Sequence, residues 1–199
     1  MRTTGIVFPT LVAHGETESG SIPGYGLLAL ASPVLAELSG RLGEPAHLSV
    51  LDGSQVVTLL SVPAAPIARR VPASCTASGR ALLFDTDGTV LHRLFPGDEL
   101  PPQGRGAPRD VGELQRRIAA ARTWGCAIVD QELRRGLVGI AAPVRDGSGR
   151  IVAALNVSGP KFRLGRQLDV TAAPEVKRAA DALSQNLADR AVREGGHDG

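Results

Sequence analysis

The stretch Gly136-Leu137-Val138-Gly139-Ile140-Ala141-Ala142-Pro143-Val144-Arg145-Asp146-Gly147-Ser148-Gly149-Arg150-Ile151-Val152-Ala153-Ala154-Leu155-Asn156-Val157-Ser158-Gly159-Pro160 holds two apolar runs around a polar turn. Leu137 to Val144 and Arg150 to Val157 are apolar at most positions, and Asp146-Gly147-Ser148-Gly149 between them has the composition of a hairpin loop. Runs this short and this apolar read as strands buried on both faces. The stretch therefore predicts a buried antiparallel pair.

Working outward, Cys126 to Val129 is a further candidate strand, and Pro174 opens a last helix with Val176, Ala180, Leu183 and Leu187 on one side. A second hairpin is predicted nearer the start, from His47 to Leu51 and Gln55 to Val62 around Asp52-Gly53-Ser54. Ser32 before Pro33 predicts a helix start, with Leu35, Leu38 and Leu42 as one stripe and Gly43 as the stop. Thr76 to Leu83 reads as a short helix carrying a glycine. The Pro- and Gly-rich stretch from Pro96 to Pro108 reads as a surface loop. Asp110 with Glu113 forms a capping box that opens a helix running to Trp124. The order is helix, hairpin, helices, strand, hairpin, helix. Without a repeated βαβ unit, it predicts an α+β fold: a mostly antiparallel sheet flanked by helices.

The chain has 199 residues, 22 Lys and Arg against 20 Asp and Glu, and a net charge of +2. That size allows one domain, expected over residues 25–194, with a lead-in over 1–24 and a disordered tail over 195–199. Two excess charges, spread along the chain, exclude nucleic-acid binding driven by bulk charge. Aromatic residues make up only 3% of the chain, too few and too scattered for base stacking. Cys75 and Cys126 stand alone, with neither metal-ligand spacing nor a disulfide framework, which fits a reducing cytosol. No apolar run approaches the length of a membrane helix, so no membrane partner is expected.

Two patterns invite a catalytic or cofactor reading. Leu82-Leu83-Phe84-Asp85-Thr86-Asp87-Gly88-Thr89 looks like the first motif of haloacid-dehalogenase-type phosphatases, in which Asp85 would be the nucleophile and Asp87 the acid/base beside magnesium. A hairpin precedes it, however, and neither Lys161 nor Lys177 lies in the setting that chemistry needs; the competing reading is that Asp85 or Asp87 caps a helix over Val90, Leu91 and Leu94. The glycines near Thr76 match neither phosphate-loop pattern. No catalytic residue, metal site or cofactor is assigned.

From about Leu28 to Ala191 the sequence resembles the effector-binding domain of IclR-type transcriptional regulators. The resemblance rests on Pro33-Val34-Leu35 with Leu38 ahead of Gly43-Glu44, on His47 to Gly53, on Pro72 to Leu83, on Gly125-Cys126-Ala127 with Asp130 and Glu132, and most of all on Gly136 to Asp146 and Gly149 to Pro160. It implies a GAF/PAS-like fold, a small-molecule pocket between the sheet and the Cys75 to Gly79 segment, and assembly into homodimers or homotetramers. By position, it implies a pocket for a small organic acid or aromatic catabolite lined by Ala77, Ser78, Asp130, Leu137, Gly139, Asn156 and Ser158.

Asn156, Ser158, Ser78 and Asp130 would then supply a few oriented polar groups in an apolar concavity, the usual basis of selectivity. In a reading without a ligand, Asn156 and Ser158 only satisfy backbone groups near a strand end. Some relatives carry Cys in place of Gly139 and Ser in place of Asn156, so their ligands do not transfer. Family members read DNA through a winged helix-turn-helix that residues 1–24 are too short to hold. The expected function is thus a cytoplasmic ligand-sensing domain that reaches DNA only through such a part. The alternatives are the phosphatase and a stand-alone ligand-binding scaffold that docks to other regulators.

Overall fold

The computed structural model describes residues 24–63, 70–101 and 103–195. The first helix, α1 (Gly24–Leu42), buries Leu27, Ala31, Leu35, Leu38 and Leu42. It begins ahead of the predicted start at Ser32 because Leu27 and Ala31 extend the same stripe upstream. The helix runs through Pro33, and that burial offsets the hydrogen bond Pro33 cannot donate. The first described helix begins at Gly24 and the final helix ends at Gly195. The remainder of the predicted lead-in and tail lies outside the described residues.

Strands β1 (Ala46–Asp52) and β2 (Gln55–Val62) form the first predicted hairpin, turned by Gly53 at φ 57°. A three-residue strand, β3 (Arg70–Pro72), pairs with β2. A 3-10 turn over Ala73–Cys75 leads into α2 (Ala77–Leu82), then α3 (Gly88–Leu94) and α4 (Val111–Trp124). Next come β4 (Ala127–Asp130), β5 (Leu137–Arg145), β6 (Ile151–Pro160), the one-turn α5 (Lys161–Leu164), a π-helical turn over Leu168–Ala172, and α6 (Ala173–Gly195). The six strands form one antiparallel sheet in the order β3-β2-β1-β6-β5-β4. The fold is α+β, as expected.

Strand side chains alternate between faces, and here the two faces have different content. Leu48 and Val50 of β1, Ile140 and Ala142 of β5, and Leu155 and Val157 of β6 pack with the stripes of α1 and α6 in the larger core. Ala141 of β5 and Ala154 of β6 point the other way, toward Ala77 and Ala81 of α2. The intervening positions on that second face include His47, Ser49, Asn156 and Ser158, so it is polar at its centre. Among the described residues, no helix is long and apolar enough to cross a membrane.

The phosphatase-like motif ends one helix and opens the next instead of ending a strand. Asp87 caps α3, its Oδ1 accepting the Val90 N–H at 2.8 Å. Asp85 accepts from Arg145 Nη1 at 2.5 Å and Nη2 at 3.1 Å, which holds its carboxyl below the usual range. Both carboxylates therefore have structural partners. Asp87→Ala is expected to cost about 1 kcal/mol, read as a fall of roughly 2–4 °C in the melting midpoint; no change would show that α3 does not need the cap.

Candidate functional site

A cavity of about 230 Å³ opens between the second face of the sheet and the start of α2. Its floor is His47 and Ser49 of β1, Val56 and Thr58 of β2, Gly139 of β5, and Asn156 and Ser158 of β6. Cys75, Thr76, Ala77 and Ser78 form its roof, and Glu132, Leu133 and Arg134, in the connection from β4 to β5, close one side. Register explains the grouping: His47 stands opposite Asn156 and Gly139 opposite Ser158, so the central strands deliver these residues side by side.

The roof is held by two local features. Thr76 Oγ1 accepts the Gly79 N–H at 3.2 Å and caps α2. Gly79 lies against the backbone of Ala73, where a Cβ would come within 2.6 Å of the carbonyl carbon and closer still to the carbonyl oxygen and Cα. Only glycine lets α2 sit this deep.

Of the seven residues expected from sequence, Ala77, Ser78, Leu137, Gly139, Asn156 and Ser158 come together in this cavity. Asp130 does not line it. In β4 the inward position is taken by Val129, so the next side chain points outward, and Asp130 pairs there with Lys161 Nζ at 2.5 Å, both about half exposed. His47, Ser49, Thr58, Glu132 and Arg134 are lining residues that the sequence reading missed. A signal existed for two of them: within β1, His47 and Ser49 alternate with Ala46, Leu48 and Val50, an amphipathic pattern in a strand with neighbours on both sides.

The charges around the cavity are unequally compensated. The buried Glu132 carboxylate pairs with Arg80 Nη2 and with Arg117 Nη1, the latter at 3.1 Å. Arg117 also pairs with Glu113 of α4 and donates to the Gly106 carbonyl at 2.6 Å. Arg134 is exposed at the rim and has no carboxylate partner among the described residues. The Cys75 thiol is pushed up to about 11, by burial first and the Glu132 charge second, so near neutral pH it is an uncharged wall group. Burial lowers the pKa of His47. Ser49 Oγ donates to Asn156 Oδ1 at 3.3 Å, which leaves the Asn156 amide N–H groups available.

Residues 21–185 match the family described as "Bacterial transcriptional regulator IclR C-terminal". The Pca regulon regulatory protein of Pseudomonas putida is 34% identical over 80% of this chain, which spans 57% of that protein's length. The crystal structure of the C-terminal domain of the E. coli transcriptional regulator KdgR superposes with a TM-score of 0.74 at 26% identity, covering 81% of this chain and 98% of that one. An IclR homologue from Microbacterium hydrocarbonoxydans, solved in complex with 4-hydroxybenzoate, gives a TM-score of 0.71 at 25% identity over 82% of this chain and 69% of that one.

Proposed function

Because the chain belongs to the IclR family of bacterial transcriptional regulators, matched over their C-terminal domain, we propose that its cavity senses a small organic acid. The observation that carries this reading is a largely apolar cavity with a few polar groups on its floor and, at its rim, the cation Arg134, which has no carboxylate partner among the described residues. An apolar ring or short chain packs against Val56, Val71 and Leu137, Asn156 and Ser158 orient it, and its carboxylate meets the guanidinium. Size agrees: an apolar cavity of about 150 Å³ already holds benzene, so 230 Å³ fits a single substituted ring or a short-chain acid. The 4-hydroxybenzoate complex of the Microbacterium homologue supports the same class.

We read the chain as a sensor and not an enzyme, acting in the cytoplasm. A ligand shifts a conformational equilibrium only through unequal affinity for its states. In this reading the states are two arrangements of a dimer or tetramer, and a DNA-reading part of the regulator responds to them.

Thermal-shift and calorimetric titration with small carboxylic acids, 4-hydroxybenzoate among them, tests the proposal. At 100 times its Kd a true ligand stabilises by about 2.7 kcal/mol, a rise of roughly 5–10 °C for a domain of this size. Arg134→Gln and Asn156→Leu are each expected to weaken binding about tenfold or more. Unchanged affinity in both variants would place the ligand elsewhere.

A further inference from the structure

A second hollow, of about 560 Å³, shares no lining residue with the cavity. It begins as a gap in the sheet. β4 pairs with β5 only as far as Ala141, so β5 beyond that point has no strand on this side. The end of α4, the turn between β5 and β6, and α6 surround the gap. Its volume lies within the roughly 300–1,000 Å³ of small-molecule sites.

Three charged side chains of this hollow have no ion-pair partner among the described residues: Arg122 at the end of α4, and Lys177 and Asp181 of α6. The other charges in its wall are matched, Arg145 by Asp85 and Asp146 by Arg150. Asp85 acts on Arg122 only from further off. Arg122 spends one N–H on the Phe84 carbonyl at 3.3 Å, and Lys177 spends one on the Trp124 carbonyl at 2.8 Å, so both keep donors to spare. Lys177 and Asp181 stand four apart on one helix, at the spacing of a pair, yet they do not pair. Lys177 instead lies against Gly125, where a Cβ would come within 3.2 Å of the lysine Cε.

We propose that this hollow is a second ligand site, one that takes an acidic amino acid. Two cations and one carboxylate are the charge complement of two carboxylates and one ammonium. The ligand's carboxylates meet Arg122 and Lys177, its ammonium meets Asp181, and its methylene groups lie on Pro143 and Ala188. A dicarboxylate without the ammonium leaves Asp181 unmatched, and an amino acid with one carboxylate leaves a cation unmatched. Each omission costs about tenfold in affinity. The site stands apart from the reading of the cavity, because the two share no residue.

The test titrates the full chain with L-glutamate, L-aspartate, glutarate and L-glutamine by calorimetry and by tryptophan fluorescence. Trp124 is the only tryptophan of the chain and its carbonyl holds Lys177, so its emission reports on this hollow. Glutamate or aspartate is expected to bind once per chain, about tenfold or more tighter than glutarate and glutamine, and more weakly as salt is added. The preference over glutarate falls to about one in Asp181→Asn, an exposed position where the fold is expected to keep its melting midpoint. The preference over glutamine falls to about one in Arg122→Gln and in Lys177→Gln. Asn156→Leu, in the first cavity, leaves all of these affinities unchanged. Glutarate or glutamine binding as tightly as the amino acids, a preference that survives in Asp181→Asn, or no binding at millimolar concentration overturns the proposal. Loss of binding in Asn156→Leu overturns it too, by placing the amino acid in the first cavity. Both cations also suit the negative end of α4; if Arg122→Gln and Lys177→Gln lower the melting midpoint while neither amino acid binds wild type, they serve that helix end alone and the site does not exist.

Discussion

Replacing Glu132 with alanine is expected to lower the unfolding free energy by about 3–5 kcal/mol, a large share of the 5–15 kcal/mol or so of a typical domain. The cause is the partner left behind. Arg80 and Glu132 have side chains only 5% and 8% exposed, so the guanidinium would stay buried with its countercharge gone. Its remaining contact is a 3.4 Å hydrogen bond from Nη1 to the Ile128 carbonyl, and its Nε has no partner among the described residues. Arg117 suffers less, because Glu113 and the Gly106 carbonyl still hold it. Urea titration should show a lower midpoint at an unchanged slope. Removing both charges, as Arg80→Met with Glu132→Leu, should recover most of the loss, since two apolar side chains leave nothing charged to solvate. A loss below about 1 kcal/mol in Glu132→Ala would mean that water reaches Arg80 and that the pair is not a buried one.

Gly79→Ala is expected to cost about 3 kcal/mol or more and to weaken ligand binding with it. Overpacking a core usually costs about 1–3 kcal/mol because side chains can turn aside. Here the added methyl meets the backbone of Ala73, which has no rotamer to change. Relief requires α2 to lift off the 3-10 turn beneath it, carrying Ala77 and Ser78 away from the cavity they roof. The same substitution at Gly40 of α1 is the control. A Cβ there meets nothing within 4 Å, and a helix interior prefers alanine by about 0.5–1 kcal/mol, so Gly40→Ala should stabilise. Circular-dichroism melts of both variants read the opposite signs directly; equal and small effects would show that α2 is free to shift.

Elements with a local signature could be read from sequence. The hairpin of β5 and β6 is visible because nearly every position is apolar, and α3 and α4 because Asp87 and Asp110 announce their first turns. The start of α1 was obscured by Ser32-Pro33, a strong local signal overruled by burial of Leu27 and Ala31. β3 and α5, of three and four residues, are too short to show a period.

Long-range pairing left no trace in the sequence. Nothing near His47 indicates Asn156 as its neighbour, and nothing near Arg80 indicates Glu132, 52 positions away. The candidate cavity was legible where a family resemblance supplied positions, on α2, β5 and β6. It was misread at Asp130, because the inward or outward sense of a residue in a four-residue strand depends on where the strand begins. It was missed on β1, where alternation was present but the sequence did not show which strand would pair on its other side.

The two-faced character of β1, β5 and β6 bears on how such a domain can change its chemistry. Each strand carries two interleaved messages, one at the positions that meet α1 and α6 and the other at the positions that line the cavity. A substitution at Leu48, Ile140 or Leu155 alters folding, whereas one at Ser49, Gly139 or Asn156, a single step along the same strand, alters the cavity wall and, on the function proposed above, what the domain recognises. Adaptation to a new metabolite therefore has a path through the second message that leaves the first unedited, and a library confined to the cavity-facing positions should yield mostly folded proteins with altered ligands.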